Sequence, residues 1–134
     1  MKTYLLFLLI SFNSFAIPSG VYSGEGMATL NGKEIPCEML EIRFIHEGDK
    51  LILRGGGYRC GDIQAEYPYS VFNVVDGELI YHGDKVGYIS EHKLSLQYEE
   101  FSLNATMVDG LLYYNELWQS NEDYFQVLGM LSPN

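Results

Sequence analysis

The chain has 134 residues, with 8 Lys and Arg against 18 Asp and Glu, a formal net charge of −10 and a pI near 4.5. A field of that sign repels nucleic acid and anionic membrane surfaces, so neither is expected as a partner. The length and a hydrophobic content of 47% fit one domain with a small core.

The first segment reads as a leader. Lys2 precedes the apolar run Tyr4-Leu5-Leu6-Phe7-Leu8-Leu9-Ile10, and Ser14-Phe15-Ala16 supplies small residues where a signal peptidase needs them. Residues 1–16 are therefore expected to be a secretory signal peptide, with 17–134 as a single mature domain. Without Lys2 the balance is 7 basic against 18 acidic side chains, a net charge of −11. The apolar run is shorter than the ~20 residues of a bilayer span, and no later run is longer. The expected location is the periplasm or the extracellular medium, with no membrane span in the mature protein.

From Gly20 onward, short apolar runs rich in aromatic and β-branched residues alternate with turn pairs, and no helical period appears. The turns read as Asn31-Gly32, Gly48-Asp49, Gly61-Asp62, Asp76-Gly77, Gly83-Asp84, Glu91-His92, Glu99-Glu100, Asp109-Gly110 and Asn121-Glu122. The Asn-Gly and Asp-Gly pairs supply the positive φ that tight hairpins require. About ten strands in an antiparallel up-and-down meander follow. Closure into a barrel removes exposed edges, and Gly55-Gly56-Gly57 marks a sharp bend in one strand. The fold class is all-β, a closed or nearly closed barrel.

Pairing outward from Gly48-Asp49 sets Phe44 opposite Leu53, Ile45 opposite Ile52, Arg43 opposite Arg54, and Cys37 opposite Cys60. Cross-strand neighbours lie close enough for a disulfide, and an exported chain meets an oxidising compartment. A Cys37–Cys60 staple is expected, because the wide spacing does not suit a redox pair. In this register Arg43, Arg54, Glu41, Tyr58 and the disulfide share one face. Leu40, Ile42, Phe44, Leu51 and Leu53 form the core face, with a Glu38–Arg59 ion pair at its rim. The same construction sets Phe72 opposite Tyr81, Tyr81 opposite Val86, Leu79 opposite Tyr88, Leu96 opposite Leu103, Trp118 opposite Phe125 and Glu116 opposite Val127. The Glu91-His92 turn needs an additional residue or a bulge to hold Leu94 on the Tyr88 side.

Gly20-Val21-Tyr22 at the head of the mature segment, followed by a meander in a chain of this size, resembles the calycin barrels, which include lipocalins and fatty-acid-binding proteins. Tyr22 stands where lipocalins usually have Trp. The resemblance implies a central cavity for a small apolar ligand.

The candidate ligand-binding residues are Phe72, Tyr81, Tyr88, Tyr114 and Trp118, with Leu96 and Leu103 between them. Glu116, or Arg43 and Arg54, would orient the ligand. A carboxylate at position 116 sits among apolar neighbours, an environment common at functional sites. The arginines would suit a carboxylate-bearing ligand if they faced inward; the apolar alternation favours the outside for them. The last hairpin is apolar on both faces. Leu117, Tyr124 and Leu128 on its outer side are the candidate surface for a homodimer or another protein partner. His46, His82 and His92 lack ligand spacing, so no metal or cofactor is expected. No nucleophile elbow or phosphate loop occurs, and a binding role is expected over catalysis.

Overall fold

The structure, a computed structural model, describes residues 17–134; the expected leader lies outside the described residues. Eleven strands follow one another: β1 (Gly20–Leu30), β2 (Lys33–Glu47), β3 (Lys50–Cys60), β4 (Ile63–Glu66), β5 (Ser70–Val75), β6 (Glu78–Tyr81), β7 (Asp84–Ile89), β8 (Lys93–Tyr98), β9 (Phe101–Val108), β10 (Leu111–Gln119) and β11 (Tyr124–Pro133). All pairings are antiparallel, and the order β2-β1-β11-β10-β9-β8-β7-β6-β5-β3 is closed by β2 on β3. Ten strands thus form a barrel. β4 pairs only with the far half of β3, at Gly57 to Cys60, while the near half of β3 pairs with β5.

Most turns fall where the sequence places them. Asn31, Asp76, Glu99 and Asp109 carry positive φ, as tight hairpin turns require. One turn differs: His82-Gly83, rather than Gly83-Asp84, links β6 to β7, so Tyr81 pairs with Asp84. The irregularity expected at Glu91-His92 lies instead between β6 and β7, where the register shifts between Leu79 and Ile80.

The stapled hairpin shows how single-residue offsets rearrange a sheet. Phe44 pairs with Leu53 as expected, but Arg43 pairs with Gly55, leaving Arg54 as an extra residue in β3. Because side chains alternate, this bulge turns everything beyond it to the opposite face. Tyr58 and Cys60 therefore point inward and are buried, not outward beside the arginines. A second offset follows, since Gly24 pairs with Leu40 and Gly26 with Cys37. It turns Cys37 inward as well. The two offsets cancel, Cys37 meets Cys60, and the disulfide forms inside the barrel. The Glu38–Arg59 ion pair also forms, at 3.3 Å, but on the exposed outer side. Beyond the Arg54 bulge β3 runs so close to β4 that a β-carbon on Gly57 would collide with the Ala65 carbonyl oxygen.

One end of the barrel is plugged. Ile17 is buried, and its N–H donates to the Ser90 carbonyl at the β7–β8 turn, 2.8 Å away. Tyr22 stacks on Phe44 with ring centroids 5.7 Å apart, and its hydroxyl donates to the Pro18 carbonyl. Desolvation by burial raises the Tyr22 pKa above the ordinary tyrosine value. The Gly20-Val21-Tyr22 motif thus sits at the closed end. Leu40, Ile42, Leu79, Leu112 and Leu131 are among the side chains that pack the core.

Candidate functional site

The opposite end of the barrel is not filled. A cavity of about 680 Å³ opens there, bounded by the β4–β5 loop (residues 67–69) and the β8–β9 turn. Its wall is formed by Leu53, Phe72, Tyr81, Val86, Leu96 and Leu103, with Tyr58, Tyr67, Phe101 and Trp118 nearer the polar features. Phe72 and Tyr81 meet across β5 and β6 with centroids 5.3 Å apart, and Phe101 and Trp118 at 4.7 Å.

Glu116 lies in this wall and is only 1% exposed. The even-numbered residues of β10 face inward, so Tyr114, Glu116 and Trp118 form one row. Glu116 Oε2 accepts from the Tyr58 hydroxyl at 2.8 Å and from Trp118 Nε1 at 2.7 Å. Oε1 accepts from the Tyr114 hydroxyl at 2.6 Å and from the Tyr67 hydroxyl. Two donors at each oxygen match the four lone-pair sites of an ionised carboxylate. Burying a carboxylate is costly unless such bonds replace water, and here the set is complete. Trp118 and Tyr114 come from the same strand, but Tyr58 comes from β3 on the far side of the barrel and Tyr67 from a loop. The cluster therefore ties opposite walls together beside the cavity.

The tyrosines respond to the same environment. Burial raises the Tyr58 and Tyr67 hydroxyls well above the ordinary tyrosine range, and the Glu116 charge and hydrogen bond push in the same direction. Both remain donors throughout the physiological range.

The chain was compared with protein-family models, curated proteins and solved structures. None matches it.

Of the residues expected to contact a ligand, the structure brings together Phe72, Tyr81, Trp118 and Glu116 on the cavity wall. Tyr114 is buried behind it and reaches the site through Glu116. Tyr88 does not belong to it. The shifted β6–β7 register sets Tyr88 opposite Glu78 and turns the ring outward, where it is 41% exposed beneath the Lys93 ammonium. Arg43 and Arg54 also lie outside; Arg43 approaches Glu41 at 3.8 Å on the barrel exterior.

The sequence reading missed Tyr67 and put Tyr58 on the wrong face. Tyr67 precedes Pro68 in a loop whose place over the barrel end has no local signature. The bulge that turns Tyr58 inward is marked only by the adjacent glycine run. Leu117, Tyr124 and Leu128 all face outward on the last hairpin. Among the described residues no group of three or more His, Cys, Asp or Glu could hold a metal ion, and no helix is long and apolar enough to cross a membrane.

Proposed function

We propose that this chain is an exported carrier that binds a small apolar molecule inside its barrel, without catalysis. The observation that carries the reading is the cavity: about 680 Å³, lined chiefly by apolar and aromatic side chains, with a few convergent polar groups. Small-molecule sites share that size and composition. Closure of the meander into a barrel agrees with what the calycin resemblance implies. The Cys37–Cys60 disulfide supports an oxidising, exported location. Glu116 supports binding over catalysis, because its acceptor capacity is engaged by the protein's own donors. Trp118, the only tryptophan in the chain, stands at the cavity and reports on its contents. Titration with the neutral dye N-phenylnaphthylamine is expected to give saturable energy transfer from Trp118 and a higher melting temperature. No transfer and no shift at saturating dye would overturn the carrier reading.

A second reading, a protein–protein interaction module, is favoured by one separate observation. Tyr113, Leu128, Met130 and Met27 are all exposed on the outer face of β10, β11 and β1, with Tyr113 opposite Met130 and Leu128 opposite Met27. Adjacent exposed apolar side chains of this kind mark interaction surfaces. Sedimentation of wild type and Leu128→Asp tests its homodimeric form: a wild-type dimer that the variant dissolves supports the reading, and two identical monomers refute self-association through this face.

A further inference from the structure

The charges around the cavity restrict what it can hold. We propose that its ligand is a cationic amphiphile, an apolar body inserted into the barrel with an ammonium-type head at the mouth. This rests on reading the cavity as a binding site. Among the described residues no Lys, Arg or His lines it, whereas Glu66, Glu99, Glu100 and Glu116 do. Glu66, Glu99 and Glu100 are exposed at the open end, and none of them takes part in an ion pair among the described residues. Glu116 adds a buried negative charge met by neutral donors only.

The hydrogen bonds point the same way. Tyr58 and Tyr67 spend their hydrogens on Glu116, so they offer an incoming group oxygen lone pairs and no donor. Tyr81, Phe101 and Trp118 also line the cavity, and aromatic rings attract cations through their π systems. An alkanoate head would instead meet like charges, with no cation among the described lining residues to receive it. The two arginines that would suit an anionic ligand are on the exterior.

The test is competition on the folded, disulfide-intact protein. Bound N-phenylnaphthylamine is displaced by dodecyltrimethylammonium, dodecanol or dodecanoate, each below its micellar concentration. The expected order is ammonium, then alcohol, then carboxylate, with the ammonium binding about ten-fold tighter than the alcohol at low salt. That advantage is expected to narrow between about 20 mM and about 200 mM salt, as rim charges are screened. It is also expected to shrink in the Glu99→Gln/Glu100→Gln variant, whose changes lie on an exposed turn and spare the core. Dodecanoate binding as tightly as the ammonium, or an advantage unchanged in that variant, would overturn the charge assignment while leaving the carrier reading intact. Failure of the neutral dye itself to bind would overturn both.

Discussion

Tyr114→Phe isolates the hydrogen bonding of Glu116 from the filling of the barrel. Position 114 is 1% exposed, and its hydroxyl donates to Glu116 Oε1 at 2.6 Å. The substitution keeps the ring and removes one oxygen, so it opens almost no cavity, and it leaves the carboxylate with three of its four donors. A hydrogen bond to a charged group contributes about 1.5–3 kcal/mol, and the Tyr114 hydroxyl is buried behind the cavity wall. Urea unfolding with the disulfide intact should therefore show a loss of about 2 kcal/mol with an unchanged m-value. For a domain of this size the melting temperature should fall by about 6–12 °C. Tyr113→Phe, on the exposed face of the same strand, serves as the control and should change stability by less than about 0.5 kcal/mol. If Tyr114→Phe costs no more than this control, Glu116 does not depend on its donors in the way described.

Two further outcomes are expected. Below the ordinary tyrosine pKa of about 10, folded and unfolded chains both keep the Tyr58 and Tyr67 protons, so these groups impose no pH dependence there. Above it the unfolded chain releases protons that the folded chain retains, because burial and Glu116 raise both folded pKa values, so stability should fall as pH rises. Phenolate absorbance should accordingly show Tyr58→Phe/Tyr67→Phe losing only late-ionising groups; loss of early-ionising ones would contradict the burial of these hydroxyls. The disulfide closes a loop with a sequence separation of 23. Cys37→Ser/Cys60→Ser should cost about 3 kcal/mol by denaturant unfolding, and a cost near zero would show that the staple does not constrain the unfolded chain.

Alternation and turn chemistry made the barrel legible. Asn31-Gly32, Asp76-Gly77 and Asp109-Gly110 need no tertiary context to adopt positive φ, and an apolar residue at every second position needs none to choose a face. The last hairpin followed that logic throughout: Trp118 pairs with Phe125 and Glu116 with Val127, so the position of Glu116 could be read from one turn. The cysteine pair was also recoverable, although only because two bulges offset one another.

Local reasoning ended where register depended on more than one hairpin. A bulge shifts pairing by one residue and turns every later side chain over, and its position is set by how neighbouring strands fit around a closed barrel. The bulge at Arg54 decided that Tyr58 faces Glu116. The β6–β7 offset decided that Tyr88 does not face the cavity. Tyr67 reaches the carboxylate because its loop crosses the barrel end, a placement that no spacing along the chain encodes. The sequence by itself thus determined the meander, the staple and a carboxylate directed inward; tertiary structure alone brought Tyr58, Tyr67 and the acidic mouth to it, because they come from a strand, a loop and a turn that converge only when the sheet closes.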